Sequence, residues 1–498
     1  MKTSKSRKLF LLFLAVSILM TSAFAKIKDI KIRGYVTNII SPTVFEIEDY
    51  RITRDEAFKL EFDNASPELT FKIEDIRIGT ELEIRGLYND ETGELQAKTI
   101  KVDMEQFKKI KETVILSHTP EGIEKSGSGW TGVLSAGGQR VRISPDKTQV
   151  VFKLTSREQK VVKEQNKQKE KQAKTGALAP NDAAEYRPVS SLDEVTAGMA
   201  MTYEGVRNKE DGSIDAEKVE FAKNDFEKGE ESLWKRLKTS VKPGDASKLK
   251  PGELSIAQVG KFKLLPDDEV QEYVRKLGNS LIPKYLVAPP DGTPGTPRFQ
   301  FYVVIQKDAN AFALANGTIV IHSGLFNVLE NQAQLASIIG HEISHSVQEH
   351  TWRQMQYHRN KLALLSIGAA FAAAYGYREV ADIANLIEAA IRTGYSRSLE
   401  NQADRLGLEY MVQSGYDPRE APRVWKQMTK AYGLQVTNFF WSTHENQATR
   451  RSYLMNELKN NYADLDYSKT RTGEEEFKQI VGRVRASVDK KKTIKVKD

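Results

Sequence analysis

The run His341-Glu342-Ile343-Ser344-His345 constrains this chain more than any other stretch, because its chemistry works only if it is helical. One turn of α-helix separates positions i and i+4, so both imidazoles then leave the same face and converge on one ion. Glu342 follows the first of them, where its carboxylate can take a proton from a water activated by the metal. Leu335, Ile338, Ile339 and Ile343 recur at helical spacing around the motif and predict one buried side, with the His pair facing a cleft. Only seven His occur in 498 residues, which makes a chance match of this pattern improbable.

Zinc needs a third protein ligand, and a second helical stretch around Tyr395 to Asp404 offers one. Glu400 and Asp404 are again i and i+4, so one carboxylate can bind the metal while the other supports a ligand from behind. Two His and one Glu would leave the fourth tetrahedral position to water, as a catalytic zinc requires. Asp404 would then accept the spare N–H of a ligating imidazole and fix its tautomer. Taken alone, these carboxylates read as solvated helix charges beside Arg397 and Arg405; next to an HExxH helix the metal reading prevails. The chain has no Cys, so disulfides and thiolate ligands are excluded and any metal site must use His and carboxylates.

With four blocks in order, the chain resembles the M48 family of zinc metallopeptidases, a gluzincin group with integral-membrane and soluble periplasmic members. Asn310-Ala311-Phe312-Ala313, followed by Gly317 to Ile321 and Ser323-Gly324-Leu325, resembles the family's strand and turn before the active-site helix. His341 to His345 resembles its zinc helix, Glu400 to Asp404 its ExxAD block, and Ser442-Thr443-His444 with Arg450 its STHP…R element. The likeness covers roughly residues 255 to 470. It implies that His341, His345 and Glu400 ligate one Zn²⁺ per subunit, with Glu342 as general base. It also implies that His444 lies near the metal, where in some soluble relatives this His blocks the fourth position. Glu445 stands where the family usually has Pro, which departs from the pattern of that loop. Arg450 would hold a nearby carboxylate through a bidentate pair. His350 and His358 read as exposed, and His322 as a structural residue of a strand.

The function expected from these parts is zinc-dependent endopeptidase activity on misfolded or precursor proteins of the cell envelope. Asn310 to Ala313 and the alternating stretch Phe299 to Ile305 could hold an extended substrate by β-augmentation. The alternative, from a different class, is a zinc-stabilised scaffold or chaperone-like envelope protein whose proteolysis is weak or latched by His444.

The first 25 residues read as an export signal. Lys2, Lys5, Arg7 and Lys8 precede the twelve apolar residues Leu9 to Met20, and Ala23-Phe24-Ala25 is a small-x-small cleavage site. Twelve residues fall short of the ~20 that span a bilayer. A cleaved signal and a periplasmic or secreted protein are expected. The run Leu362 to Tyr375 is also too short to span; membrane contact through it is left open. The formal net charge of +7 loses four positives with the signal, and the remaining +3 is not the footprint of a nucleic-acid binder.

Residues 26 to 225 contain a repeat. Gly79, Gly86, Gly93 and Ala97 recur as Gly198, Gly205, Gly212 and Ala216 at a constant offset of 119. Each copy reads strand, Gly, strand, turn, strand. Ile32 to Val36 also resembles Trp130 to Leu134, as though each copy began with the same strand. Two small antiparallel OB-like β-barrels are expected at 26–118 and 119–225, the second with a charged, coreless insertion at about 158–184. A mainly α-helical α+β zincin domain at 226–475 and a basic tail at 476–498 complete the expected organisation. The barrels would recruit substrates or an envelope partner.

Overall fold

The computed structural model describes residues 27–172, 185–208, 211–223, 237–245, 251–257, 259–287, 299–356, 395–432 and 447–494. The signal segment, residues 173–184 of the insertion, His358, the apolar run 362–375 and the loop carrying His444 and Glu445 lie outside these residues. The chain divides into Met1–Gln106 and Phe107–Asp498.

The first unit is one sheet of seven strands: β1 Ile27–Tyr35, β2 Asn38–Ser41, β3 Val44–Ile47, β4 Tyr50–Thr53, β5 Lys59–Asp63, β6 Glu81–Asn89 and β7 Glu94–Asp103. Its order is β1-β6-β7-β4-β3-β2, with β5 also parallel to β7. Successive side chains of a strand point to opposite faces, and Leu82, Ile84, Leu95, Ala97, Ile100 and Val102 are the buried hydrophobic side chains of the β6–β7 hairpin.

The second unit opens with a sheet built to the same plan: β8 Ile110–Ile115, β9 Ile123–Ser126, β10 Gly129–Ala136, β11 Gln139–Ile143, β12 Gln149–Lys153, β13 Tyr186–Pro188, β14 Ala200–Arg207 and β15 Ile214–Ala222. β8 lies antiparallel to β14 as β1 does to β6, and β11 and β12 run parallel to β15 as β4 and β5 do to β7. The repeated glycines explain themselves at one point. The register slips between Arg85 and Gly86 in one hairpin and between Glu204 and Gly205 in the other. A Cβ on Gly86 would lie 2.0 Å from the Gln96 carbonyl oxygen, and one on Gly205 2.3 Å from that of Asp215. Because backbone would have to move, Gly205→Ala should destabilise the chain by about 1–3 kcal/mol, with Gly86→Ala alike in its own unit. Denaturant unfolding followed by circular dichroism checks this; midpoints unchanged from the parent chain would contradict it.

Three expectations need correction. Among the described residues strand pairing closes neither sheet into a barrel: β1 and β2 end the first path, β9 and β13 the second, and no ladder joins those ends. The boundary near 118 falls too late, because β8 pairs with β14 and belongs to the second sheet. Ile32 to Val36 lies on β1 and its margin, whereas Trp130 to Leu134 lies on β10; the counterpart of β1 is β8, and a short apolar-Gly pattern suits either strand. The charged insertion begins as helix α1, Ser156–Gln172, with no buried residue among 156–164.

The remainder is α+β. Strands β16 Thr239–Lys242, β17 Glu253–Ile256 and β18 Gly260–Lys263 form a small antiparallel sheet. Strands β19 Gln300–Val304, β20 Ala311–Ala313 and β21 Thr318–His322 form another in the order β19-β21-β20. Helices α2 Asp268–Leu281, α3 Gln332–Val347, α4 Arg397–Gln413, α5 Glu420–Tyr432, α6 Gln447–Asn461 and α7 Glu474–Ile494 follow, with further helical residues at 350–356. Most of the expected basic tail is therefore helical, since α7 buries Phe477, Ile480 and Val484 and stacks Phe477 on Phe326 at 5.9 Å. Leu335, Ile339 and Ile343 of α3 share one core with Ala311, Ile319 and Ile321 of the neighbouring sheet and with Leu406 of α4.

Candidate metal centre

Asn331 starts α3 by accepting a hydrogen bond from the Gln334 N–H at 2.9 Å, and every residue of the helix but Ser337 is buried. The expected one-sided burial is thus exceeded: the polar face is as enclosed as the apolar one. Where α3 meets α4 the chains approach through glycine. A Cβ on Gly340 would sit 3.2 Å from the Gly407 carbonyl oxygen, and one on Gly407 3.1 Å from the His341 main-chain nitrogen. This contact brings Glu400 and Asp404 of α4 over the motif of α3.

His341, His345 and Glu400 place one ligand atom each within 4.8 Å of the others. The two Nε2 atoms are 2.9 Å apart, and Glu400 reaches them at 3.5 and 3.7 Å. All three side chains are buried, as is Glu342 at 2% exposure. Two imidazole nitrogens and a buried carboxylate converging on one point are a donor set that Zn²⁺ accepts at catalytic sites, so these residues fit the ion.

Asp404 accepts from the other face of His341, Oδ1 to Nδ1 at 3.0 Å, as a support for a metal-ligating imidazole should. Arg450, on α6, donates through Nε to Asp404 Oδ2 at 2.9 Å and through Nη2 to Oδ1, and its Nη1 lies 3.3 Å from Glu400 Oε2. Its guanidinium lies 4.0 Å above the Trp425 ring. Burial works to raise the Asp404 pKa, but the Arg450 charge and the His341 hydrogen bond hold it below the usual carboxylate range. Burial and Arg450 oppose a proton on His341, yet hydrogen bonds to Asp404 and Glu400 outweigh them and lift its pKa to about 9. An ion binding at His341 must then displace a proton.

The substrate-edge residues divide. Ala311, Phe312 and Ala313 form β20, paired with β21 on one side and at the edge of its sheet on the other, while Asn310 is buried just before it. Phe312 points into a separate apolar cluster with Val304, Leu314 and Val320. His322 is buried and bonded through Nδ1 to Asp308 at 2.8 Å. His444 falls outside the described residues.

His350 corrects the sequence reading. Expected to be exposed, it is fully buried, with Nδ1 2.8 Å from His345 Nδ1 and Nε2 2.8 Å from Gln402 Oε1. Burial and the neighbouring Arg353 charge push its pKa down to about 3, so the ring is neutral. Helical spacing hid this role, because α3 stops at Val347 and Glu349 takes a positive φ of 55° before helix resumes at His350. Tyr395 was also missed; its ring stacks on His345 at 4.0 Å. Only its nearness to Glu400 in sequence could have flagged it.

Residues 270–458 match the model of peptidase family M48. The chain is 31% identical over 179 residues to the beta-barrel assembly-enhancing protease of Escherichia coli (strain K12), covering 34% of this chain and 35% of that protein. It is 31% identical over 157 residues to the mitochondrial metalloendopeptidase OMA1 of Arabidopsis thaliana, covering 31% of each. With the mitochondrial metalloendopeptidase OMA1 of Bos taurus it shares 26% identity over 218 residues, 39% of this chain and 42% of that one. The chain thus spans about a third to two fifths of the length of these relatives. With the HExxH helix, the Glu400 carboxylate and the Asp404–Arg450 support assembled inside the matched segment, residues 270–458 belong to peptidase family M48.

Proposed function

We propose that this chain is a zinc-dependent endopeptidase, with misfolded or precursor proteins of the cell envelope as its substrates. The observation that carries the reading is the convergence of His341, His345 and Glu400 from two helices with Glu342 buried on the same helix. A zinc ion held by these three residues would supply Lewis acidity, which acidifies water and polarises a peptide carbonyl. Glu342 takes a proton from the attacking water and returns it to the departing amine. Asp404 keeps the His341 ring turned with Nε2 toward Glu400, and Arg450 offsets part of the charge of the two buried carboxylates. The outer edge of β20, which pairs with no strand among the described residues, would align a substrate strand by backbone hydrogen bonds, which favours an extended or unfolded chain over a folded one.

An envelope setting is supported by the name of the Escherichia coli relative and by the export-signal pattern of residues 1–25. No helix among the described residues is long and apolar enough to cross a membrane. Recruitment of substrates or an envelope partner is the role we assign to the two N-terminal sheets, and the family resemblance is the ground for proposing His444 as a residue near the metal.

Metal analysis of the purified chain should return one zinc per molecule. Digestion of unfolded casein should stop when the zinc is stripped with a chelator and resume on adding it back. Zinc retained with no cleavage, even in His444→Ala, would favour the scaffold reading.

A further inference from the structure

Strand β8 lies outside the segment matched to the family, yet side chains of the metal-bearing region take up its backbone groups. β8 pairs with β14 along one edge. Along the other, the Ile115 N–H donates to Gln348 Oε1 at 2.7 Å and Gln348 Nε2 donates to the Ile115 carbonyl at 2.9 Å. The Thr113 carbonyl accepts from Arg353 Nη1 at 2.6 Å and from Gln402 Nε2 at 3.0 Å. Gln402 Nε2 also donates to Glu112 Oε1 at 2.6 Å, an oxygen shared with the buried Arg405 guanidinium.

We propose that β8 fixes the tautomer of the metal ligand His345, acting through Gln402 and His350 as positioning residues. It rests on the metal-centre reading above. A carboxylate and a main-chain carbonyl can only accept hydrogen bonds, so Glu112 and Thr113 turn the amino group of Gln402 toward themselves. Its Oε1 is then presented to His350 Nε2, and Arg353 Nη1, 3.5 Å from the same oxygen, favours that orientation. His350 must carry its proton on Nε2 and offer the lone pair of Nδ1. His345 must in turn carry its proton on Nδ1, directing the Nε2 lone pair to the side where His341 and Glu400 gather. Every donor in the chain points the same way, from the ligand to the strand. His341 reaches the same end in one step, by a charged acceptor, Asp404. His345 reaches it through neutral groups and ends on a strand outside the family segment. The second sheet is thereby part of the metal site.

The test uses the full chain and Zn²⁺ alone, its affinity read by competition with a chromophoric chelator. Gln402→Met keeps the side-chain volume and removes both ends of the amide. It should weaken Zn²⁺ binding about 10- to 100-fold, and His350→Leu should do the same. The double variant should lose little more than either single one, because one relay is being cut twice. The visible band of the Co²⁺-loaded protein should shift in both single variants, which a role confined to holding the sheet would not produce. Gln402→Asn, too short to reach both His350 and Thr113, should give an intermediate loss and serves if the Met variant does not fold. Unchanged affinity in folded variants, additive losses, or failure of both Gln402 variants to give a cooperative metal-free melt would overturn the proposal. If the unaltered chain binds no Zn²⁺, the metal-centre reading itself fails; if it binds normally and the variants match it, only the role of β8 does.

Discussion

Glu342→Gln should bind zinc as the parent chain does and cleave unfolded casein at least about 10²–10⁴-fold more slowly, the range ascribed to general acid–base catalysis. The amide preserves the volume of a side chain that is 2% exposed, so packing within α3 is kept. It cannot take a proton from water, and it has none to return to the amine. None of the three converging ligand atoms belongs to Glu342, so zinc content should stay at one per chain. Steady-state rates beside metal analysis on the same preparation separate chemistry from binding. Undiminished turnover in a zinc-loaded Glu342→Gln chain would remove the endopeptidase assignment.

Arg450→Met should be the most destabilising single change at the site. Arg450 is 1% exposed and serves both Asp404 and Glu400, so its loss leaves two buried carboxylates with only the His341 imidazole between them as countercharge. Removing one member of a buried ion pair costs about 3–5 kcal/mol. The cost should be larger in metal-free protein than in zinc-loaded protein, because a bound cation near Glu400 replaces part of the lost charge. Thermal melts with chelator and with excess Zn²⁺ measure both. Equal, small shifts under the two conditions would show that Arg450 does not neutralise these groups.

What the sequence made legible was local. HExxH and ExxAD encode their geometry in a spacing of four residues, and α3 and α4 deliver it. Gly86 and Gly205 were legible as a repeat because each faces a main-chain oxygen that leaves no room for a side chain. Arg450 was legible only through family likeness, since it reaches Asp404 from another helix. Closure of a sheet depends on which distant strands meet, and no pattern within β1 or β2 states that they do not. The Gln402 contact with Glu112 joins residues 290 positions apart, and neither has a neighbour in sequence that hints at the other. His350 was misjudged for a related reason: a polar residue just past a helix end looks solvated until the partner that buries it is known.

The glycine contact between α3 and α4 carries a consequence for which ion is chosen. At Gly340 and Gly407 main chain rests against main chain, so no rotamer there can absorb a change in separation. The distance between the two ligand-bearing helices is set by the thickness of the polypeptide itself. An ion of larger radius, or one demanding more donors, would have to be met by swinging Glu400 alone, since the helices cannot breathe apart without losing that seam. At the proposed centre, selectivity among divalent cations would in this way be set by the backbone, and substituting Gly407 should retune it with no change to any coordinating atom.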